Sequence, residues 1–107
     1  MASIGGMGNL LKQAQEMQAR MAKIQEELGQ KTVEGSAGGG MVQVTVNGQF
    51  NLVAVKIEPS VINSSEKEML EDLILAAVND GMRKARDLVS TEMGKLTGGL
   101  KIPGLMP

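Results

Sequence analysis

The chain has 107 residues, a formal charge of −1 and no cysteine. This length fits a single domain over residues 1–107, whose core is too small to cover a long amphipathic element without a partner. The lack of cysteine excludes disulfides and thiolate metal sites and suits a reducing compartment, so a cytoplasmic location is expected. Neither a signal peptide nor an apolar run of about 18 residues is present, so a soluble protein is expected.

The side-chain inventory leaves few routes to catalysis. Histidine, cysteine, tryptophan and tyrosine are absent, which removes the commonest general base, the thiol nucleophile and the soft metal ligands. Phe50 is the only aromatic residue, and nine methionines supply adaptable apolar packing. We therefore expect no enzyme activity, cofactor, metal or small-molecule substrate.

The first predicted element is a helix over residues 7–28. Its apolar residues are spaced three and four apart in strict alternation, the heptad pattern of a seam between two helices. They are Met7, Leu10, Ala14, Met17, Met21, Ile24 and Leu28. Asn9 is the expected N-cap and Gly29 the expected stop, and residues 1–6 are expected to form an irregular tail. The alternative is a helix that packs on its own domain.

Two strands separated by a glycine-rich turn are predicted next. A weak strand covers residues 31–36, and a stronger strand over residues 41–46 carries valine at every second position. The glycine-rich segment 35–40 invites comparison with a phosphate-binding loop, but it precedes a strand rather than a helix and lacks the G-x-x-x-x-G-K-[ST] spacing. We therefore interpret it as a loop that connects two strands.

A hairpin and a third strand complete the predicted sheet. The dipeptide Asn47-Gly48 favours a tight turn, because both residues tolerate positive φ. The third strand covers residues 50–57 and ends before Pro59. The prediction is an antiparallel meander of three strands with two free outer edges, which offer a route to dimerisation by sheet extension.

A capping box is predicted to start a second, long helix. Ser65 and Glu68 have the S-x-x-E spacing, and the acidic residues around them complement the helix dipole. The apolar pattern continues to residue 96, which gives a helix roughly 45 Å long. A helix of this length must project from a small domain or pack on a second subunit. Residues 100–107 are expected to form an irregular tail.

Basic residues in the second half of this helix and along the first helix are candidates for phosphate contacts. Such cations are also common as solvated residues that complement a helix dipole, and both interpretations stay open for each residue. In a dimer the helices would present basic patches suited to a nucleic-acid backbone, with little sequence preference. The candidates are Arg83, Lys84, Arg86, Lys95, Lys12, Arg20 and Lys23.

Three segments carry the most distinctive sequence: GGGMVQVTVNGQFNLVAVKIEPSVI, EMLEDLILAAVNDGMRKA and MGKLTGGLKIPG. Together they resemble the YbaB/EbfC family of bacterial nucleoid-associated proteins. The resemblance implies an α+β fold in the order α-β-β-β-α, a tweezer-like homodimer joined through its central region, and a cytoplasmic DNA-binding role at the nucleoid. Gly81 departs from the alanine common in the family. Since glycine costs about 0.5 to 1 kcal/mol within a helix, a local weakness or a close contact is expected there.

The leading hypothesis is therefore a DNA-binding protein of low sequence specificity that alters DNA conformation and influences nucleoid organisation and gene expression. The rival hypothesis is a protein adaptor that docks partner helices on the heptad face of residues 7–28, and the acidic isoelectric point near 5.4 favours this rival. Two dimer surfaces also stay open, the heptad seam and the sheet edges. The family resemblance favours the sheet.

Overall fold

A three-stranded sheet lies between two long helices in the sequence, and one of these helices packs on it. The computed structural model describes residues 2–96, with side chains described for residues 6–95. The elements are α1 (Ala2–Gln30), β1 (Thr32–Ala37), β2 (Val42–Asn47), β3 (Leu52–Ile57) and α2 (Lys67–Leu96), with 3-10 turns at Pro59–Val61 and Ser64–Glu66. This order confirms the α+β fold and the α-β-β-β-α arrangement predicted from the sequence.

Helix α1 begins earlier and ends later than predicted. Residues 2–6 are helical rather than an irregular tail, and Asn9 lies inside the helix instead of capping it. Once a helix is nucleated, each further residue adds a hydrogen bond, so α1 extends towards its N-terminus through two glycines. The helix also continues past Gly29, the predicted stop. A Cβ atom at Gly29 would lie 2.6 Å from Gln49 Nε2, the end of an exposed side chain, so glycine here leaves room for Gln49 in its observed position.

The sheet has the strand order β1-β2-β3, and both pairings are antiparallel. The three predicted strands are confirmed, with ends shifted by one or two residues. Residues 38–41 connect β1 to β2, and Gly38, Gly39 and Gly40 have positive φ. The strand connection predicted for residues 35–40 is therefore confirmed for residues 38–40, whereas residues 35–37 belong to β1. The pairing of β2 with β3 shifts by one residue between Thr45 and Val46.

The turn between β2 and β3 differs from the predicted tight turn at Asn47-Gly48. Positive φ falls on Phe50, at 64°, and Phe50 N donates to Asn47 O at 3.0 Å. The Asn47 Oδ1 atom accepts hydrogen bonds from Gln49 N at 2.9 Å and from Asn51 N at 3.0 Å. A three-residue loop that ends in a left-handed residue is a common hairpin connection. The Asn47 side chain favours this longer loop by satisfying two of its backbone donors.

Helix α2 packs across β1 and β2 and forms the core with them. The fully buried residues at this contact are Val42, Val44, Val46, Ala77 and Ala85. The helix crosses β1 at a pair of glycines, because a Cβ atom on Gly35 would clash with the backbone of Gly81. The close contact expected at Gly81 is confirmed: the backbone of Gly81 lies against Gly35 of β1, and a Cβ atom on Gly81 would lie 2.8 Å from Val46 Cγ2 and 3.0 Å from Val44 Cγ2 of β2.

The start of α2 does not use the predicted capping box. The helix begins at Lys67, and Asn63 caps the preceding 3-10 turn. Asn63 Oδ1 accepts hydrogen bonds from Ser65 N at 3.1 Å and Ser65 Oγ at 3.0 Å. Asparagine readily bonds the backbone two residues ahead. Ser65 is therefore a donor to Asn63 rather than the acceptor that was predicted.

Helix α1 leaves the rest of the protein along most of its length. The side chains of residues 6–23 are all exposed, Ile24 is half-buried and Leu28 is fully buried. The alternative of a helix packed along its own domain is therefore wrong for most of α1. The molecule is elongated, with principal extents of 77 × 26 × 17 Å. The irregular tail predicted at residues 100–107 lies outside the described residues.

Candidate nucleic-acid interface

The three candidate cations of α1 lie along one side of the helix. Lys12, Arg20 and Lys23 are eight and three residues apart, which places them on a common face at 100° per residue, away from the apolar stripe. All three are exposed, and none forms an ion pair with another described residue. By the same spacing Glu16 and Glu27 lie on this face as well, so it carries three cations and two carboxylates. A cation without a protein partner can bind phosphate without first breaking an ion pair.

On α2, the carboxylate of Asp80 holds two other candidates in ion pairs. Arg83 Nη2 lies 2.7 Å from Asp80 Oδ1, and Lys84 Nζ lies 3.2 Å from Asp80 Oδ2. Lys84 Nζ also donates to Glu34 O at 3.0 Å, and Asp80 Oδ2 accepts from Ser36 N at 3.1 Å. Lys84 and Asp80 are therefore part of the contact between α2 and β1. The sequence did not reveal this role, because the fold brings together residues more than forty positions apart.

These contacts fix the charge of Asp80 and cover an edge of the sheet. The hydrogen bond from Ser36 N, followed by those from Arg83 and Lys84, lowers the pKa of Asp80 to about 2. The same bonds occupy Ser36 N and Glu34 O on β1, backbone groups that another strand could otherwise use. The prediction of two free sheet edges is therefore wrong for β1, which α2 covers.

Of the other two candidates on α2, Lys95 forms an ion pair and Arg86 does not. Arg86 is exposed and makes no ion pair within the part of the chain that the structure describes. Lys95 Nζ lies 3.4 Å from Glu92 Oε1, and Lys31 Nζ lies 2.6 Å from the same oxygen. The hydrogen bond from Lys31 holds the pKa of Glu92 below its usual range. The candidates thus divide into unpaired cations, on α1 and at Arg86, and cations engaged with carboxylates on α2.

Among residues 6–95, exposed apolar side chains are grouped on two elements, α1 and β3. The first group is the stripe of α1, where Met7, Leu10, Leu11, Met17 and Met21 are 41 to 66% exposed. The second group lies on β3, since α2 packs over β1 and β2. There, Leu52, Val53 and Val55 are 44, 57 and 46% exposed. Exposed apolar groups that are contiguous commonly mark interaction surfaces.

No group of three or more His, Cys, Asp or Glu side chains among residues 2–96 is arranged to hold a metal ion. No helix in the same range combines the length and the apolar character needed to cross a bilayer.

Comparison with known proteins relates this fold to a family. The sequence model of the YbaB/EbfC DNA-binding family matches residues 4–100. A nucleoid-associated protein of Desulfotalea psychrophila is 57% identical over 99 residues, which cover 92% of this chain and 93% of that protein. A nucleoid-associated protein of Pelotomaculum thermopropionicum is 52% identical over 101 residues, which cover 94% of this chain and 96% of that protein.

A solved structure supports the same relationship. The crystal structure of an uncharacterized protein from Helicobacter pylori superposes with a TM-score of 0.71 at 26% sequence identity, covering 86% of this chain and 94% of that one. The resemblance inferred from the three sequence segments is thereby confirmed, and the family is described by DNA binding rather than by a reaction. This chain belongs to the YbaB/EbfC DNA-binding family.

Proposed function

We propose that this chain is a nucleoid-associated, cytoplasmic protein that acts as a homodimer and binds duplex DNA with low sequence specificity. In this proposal it alters DNA conformation and so influences nucleoid organisation and gene expression, without catalysis, cofactor or small-molecule substrate. The observation that carries the proposal is the row of unpaired cations Lys12, Arg20 and Lys23 on a helix that projects from the domain. Lysine and arginine that neutralise phosphates release condensed counterions, which drives binding without reading bases.

Low specificity is supported by what the cationic face lacks. Base recognition requires side chains that reach the groove edges, and kinking proteins commonly insert apolar or aromatic wedges between base steps. The only aromatic residue, Phe50, lies in the turn between β2 and β3 rather than on either long helix. The exposed methionines and leucines of α1 lie on its apolar stripe rather than on the face with Lys12, Arg20 and Lys23. Arg86 and, after rearrangement of its ion pair, Arg83 extend the proposed contact onto α2.

The test is binding of the purified protein to two duplexes of equal length and unrelated sequence across a salt series. We expect similar affinities for the two duplexes, and a logarithmic loss of affinity with salt whose slope is roughly 0.9 for each phosphate contacted. Absence of binding at low salt would contradict the proposal. An affinity that does not change between low and moderate salt would contradict the backbone mechanism.

The exposed face of β3 supports the homodimer. Val55 pairs directly with Val44, and Leu52 with Val46, so these two residues of β3 point to the same side of the sheet as the core valines. Helix α2 does not cover them, and they continue the core to the edge of the sheet that α2 leaves free. A second copy of this face would bury both apolar surfaces.

Sedimentation velocity of two matched variants tests this dimer surface. Val55→Glu places a charge on the apolar face, whereas Ala54→Glu places the same charge on the opposite face of the same strand. We expect Val55→Glu to shift the protein to monomer and Ala54→Glu to leave the dimer intact. A dimer that survives Val55→Glu would assign the interface elsewhere, with the α1 stripe as the remaining candidate.

The exposed α1 stripe favours one second candidate function, a protein adaptor. A heptad stripe suits a partner helix, and the side chains of Met17 and Met21 are uncovered in this chain. Affinity purification from extract treated with nuclease separates the two functions. A partner that persists after nuclease and is lost with Met17→Glu and Met21→Glu, but not with Gln15→Glu, supports the adaptor. Partners that disappear with nuclease were held by nucleic acid.

A further inference from the structure

Helix α1 meets the sheet at the turn between β2 and β3. Leu28 is fully buried there, and its carbonyl oxygen accepts a hydrogen bond from Gly48 N at 2.9 Å. Gly48 N also lies 3.1 Å from Lys31 O, just beyond the end of the helix. On the preceding turn of α1, Gln25 O accepts a hydrogen bond from Gln49 Nε2 at 2.9 Å. Two adjacent residues of one hairpin turn therefore hold the last two turns of α1.

Gly48 allows this joint to be close. A Cβ atom on Gly48 would lie 2.6 Å from Leu28 O and 2.8 Å from Leu28 Cβ, so the backbone of α1 would have to shift to admit a side chain there. The φ angle of Gly48 is not in the left-handed region, so the requirement is for space rather than for an unusual backbone conformation. A Cβ atom on Gly29 would meet only the end of the Gln49 side chain, which can move aside. The direction in which α1 leaves the sheet therefore depends on contacts with residues 48 and 49.

A small displacement at this joint is amplified along the helix. The distance from Leu28 to Gln15 along α1 is roughly 20 Å, so a displacement of about 0.6 Å across one turn of about 5.4 Å moves Gln15 by about 2 Å. The same turn leads directly into β3, which starts at Leu52 and carries the proposed dimer face. The turn thus connects α1 to the proposed dimer face on β3. Through that face, two copies of the chain would hold their two α1 helices at a fixed separation.

We propose that Gly48 and Gln49 are positioning residues for DNA binding. The turn between β2 and β3 sets the direction of α1, and thereby where Lys12, Arg20 and Lys23 meet the phosphate backbone. This inference rests on the proposed function, but neither positioning residue needs to touch DNA. It assigns a role in DNA binding to a polar side chain and a glycine that carry no charge.

The experiment measures the direction of α1 and DNA binding separately. The chain has no native cysteine, so Gln15→Cys and Ser90→Cys can carry a pair of spin labels that report the distance from α1 to α2. Dilution with unlabelled protein restricts the measurement to distances within one chain. In this background we compare Gly48→Ala, Gln49→Ala and the control Gln43→Ala, an exposed glutamine at the opposite end of β2.

We expect Gly48→Ala to shift the mean distance by about 2 Å or more, and Gln49→Ala to broaden the distance distribution. Both variants should lose several-fold in DNA affinity, while Gln43→Ala matches the unsubstituted protein in both measurements. Gln49→Ala removes only an exposed side chain, so it keeps the test valid if Gly48→Ala does not fold.

Unchanged distances in Gln49→Ala, or altered distances with unchanged DNA affinity, would overturn the positioning role. If the unsubstituted protein binds no DNA while the variants still alter the distance, then the proposed function fails and the joint has no role in DNA binding. The distance measurement does not use DNA, so the two failures are distinguishable.

Discussion

Helices α1 and α2 have nearly equal length, 29 and 30 residues, and both carry periodic apolar side chains, yet they are used differently. Helix α2 packs its apolar face against β1 and β2 and ties its polar flank to β1 through Asp80 and Lys84. Helix α1 contacts the sheet near its C-terminal end, where Leu28 is buried, and its side chains at residues 6–23 are exposed. Similar sequence periodicity therefore produces a core helix in one case and an uncovered arm in the other.

This difference shows that the function of a charged residue depends on what its helix is packed against. On α2, Lys84 pairs with Asp80 of the same helix, and these two side chains bond to the backbone of β1 at Glu34 O and Ser36 N. On α1, Lys12, Arg20 and Lys23 face solvent, so their charges are available to a partner. Matched substitutions in α1 and in the packed part of the domain should therefore have different effects.

The largest effect on stability is expected at the crossing of α2 over β1. Gly35→Ala places a Cβ atom against the backbone of Ala77 and Gly81, which cannot move aside as a side chain can. We expect the free energy of unfolding to fall by about 2 to 3 kcal/mol. Urea denaturation followed by circular dichroism measures this loss.

The matched control lies on α1. No atom lies within 4 Å of a Cβ atom built on Gly8, so Gly8→Ala adds helix propensity without a clash. The free energy of unfolding should stay within about 1 kcal/mol of the original value, in the stabilising direction. Equal destabilisation by Gly35→Ala and Gly8→Ala would contradict the division into a packed body and a free arm.

Truncation of apolar side chains should give the next largest difference in stability between the core under α2 and the exposed stripe of α1. Val44 is 1% exposed and lies in the core under α2, so Val44→Ala should lower the free energy of unfolding by about 2 kcal/mol. Met17 is 48% exposed on α1, so Met17→Ala should change the free energy of unfolding by less than about 0.5 kcal/mol. The measurement must be made at a protein concentration low enough to exclude self-association, because a partner on the stripe would enlarge the effect of Met17→Ala.

The pH dependence of stability tests whether the Asp80 carboxylate stabilises the contact between α2 and β1. The pKa of Asp80 is lowered to about 2 in the folded chain, whereas aspartate in an unfolded chain titrates near about 3.9. Between these values the unfolded chain binds more protons, so the stabilisation from Asp80 is complete above about pH 4 and is lost as the pH falls towards 2.

Asp80→Asn should therefore be less stable than the original protein at neutral pH, and the difference should shrink as the pH falls towards 2. Asp87→Asn is the control, because Asp87 is exposed and lies 4.0 Å from its nearest cation, Arg83. Thermal unfolding at several pH values measures both variants. A difference between Asp80→Asn and the original protein that is independent of pH would show that the carboxylate charge does not stabilise the contact with β1.

The sequence predicted those parts of the fold that local patterns determine. Alternating valines located β2, and apolar spacing located both helices, because each pattern reflects the geometry of one element. The shape of the hairpin was missed, since the Asn47 side chain and the left-handed Phe50 together favour a longer loop over the turn that Asn47-Gly48 suggests. The capping box at Ser65 was missed because Asn63 competes for the same backbone.

The candidate interface was predictable only as a list of cations. The sequence could not separate Lys84, which bonds to β1, from Lys12, which faces solvent, because the distinction arises from tertiary contacts. The ion pair between Lys31, which directly follows α1, and Glu92 of α2 could not be predicted either, because these two residues are 61 positions apart. Nor could periodicity identify Gly48 as part of the joint with α1, because its constraint comes from Leu28.

The most direct test of the central claim compares the salt dependence of DNA binding in two variants. One variant changes Lys12, Arg20 and Lys23 to alanine, and the other changes Lys84 to alanine. We predict that the first variant loses affinity and has a salt slope smaller by roughly 0.9 for each phosphate contact removed, while the second keeps the original slope. An unchanged slope in the triple variant, together with a reduced slope in Lys84→Ala, would contradict the assignment of α1 as the DNA-binding arm.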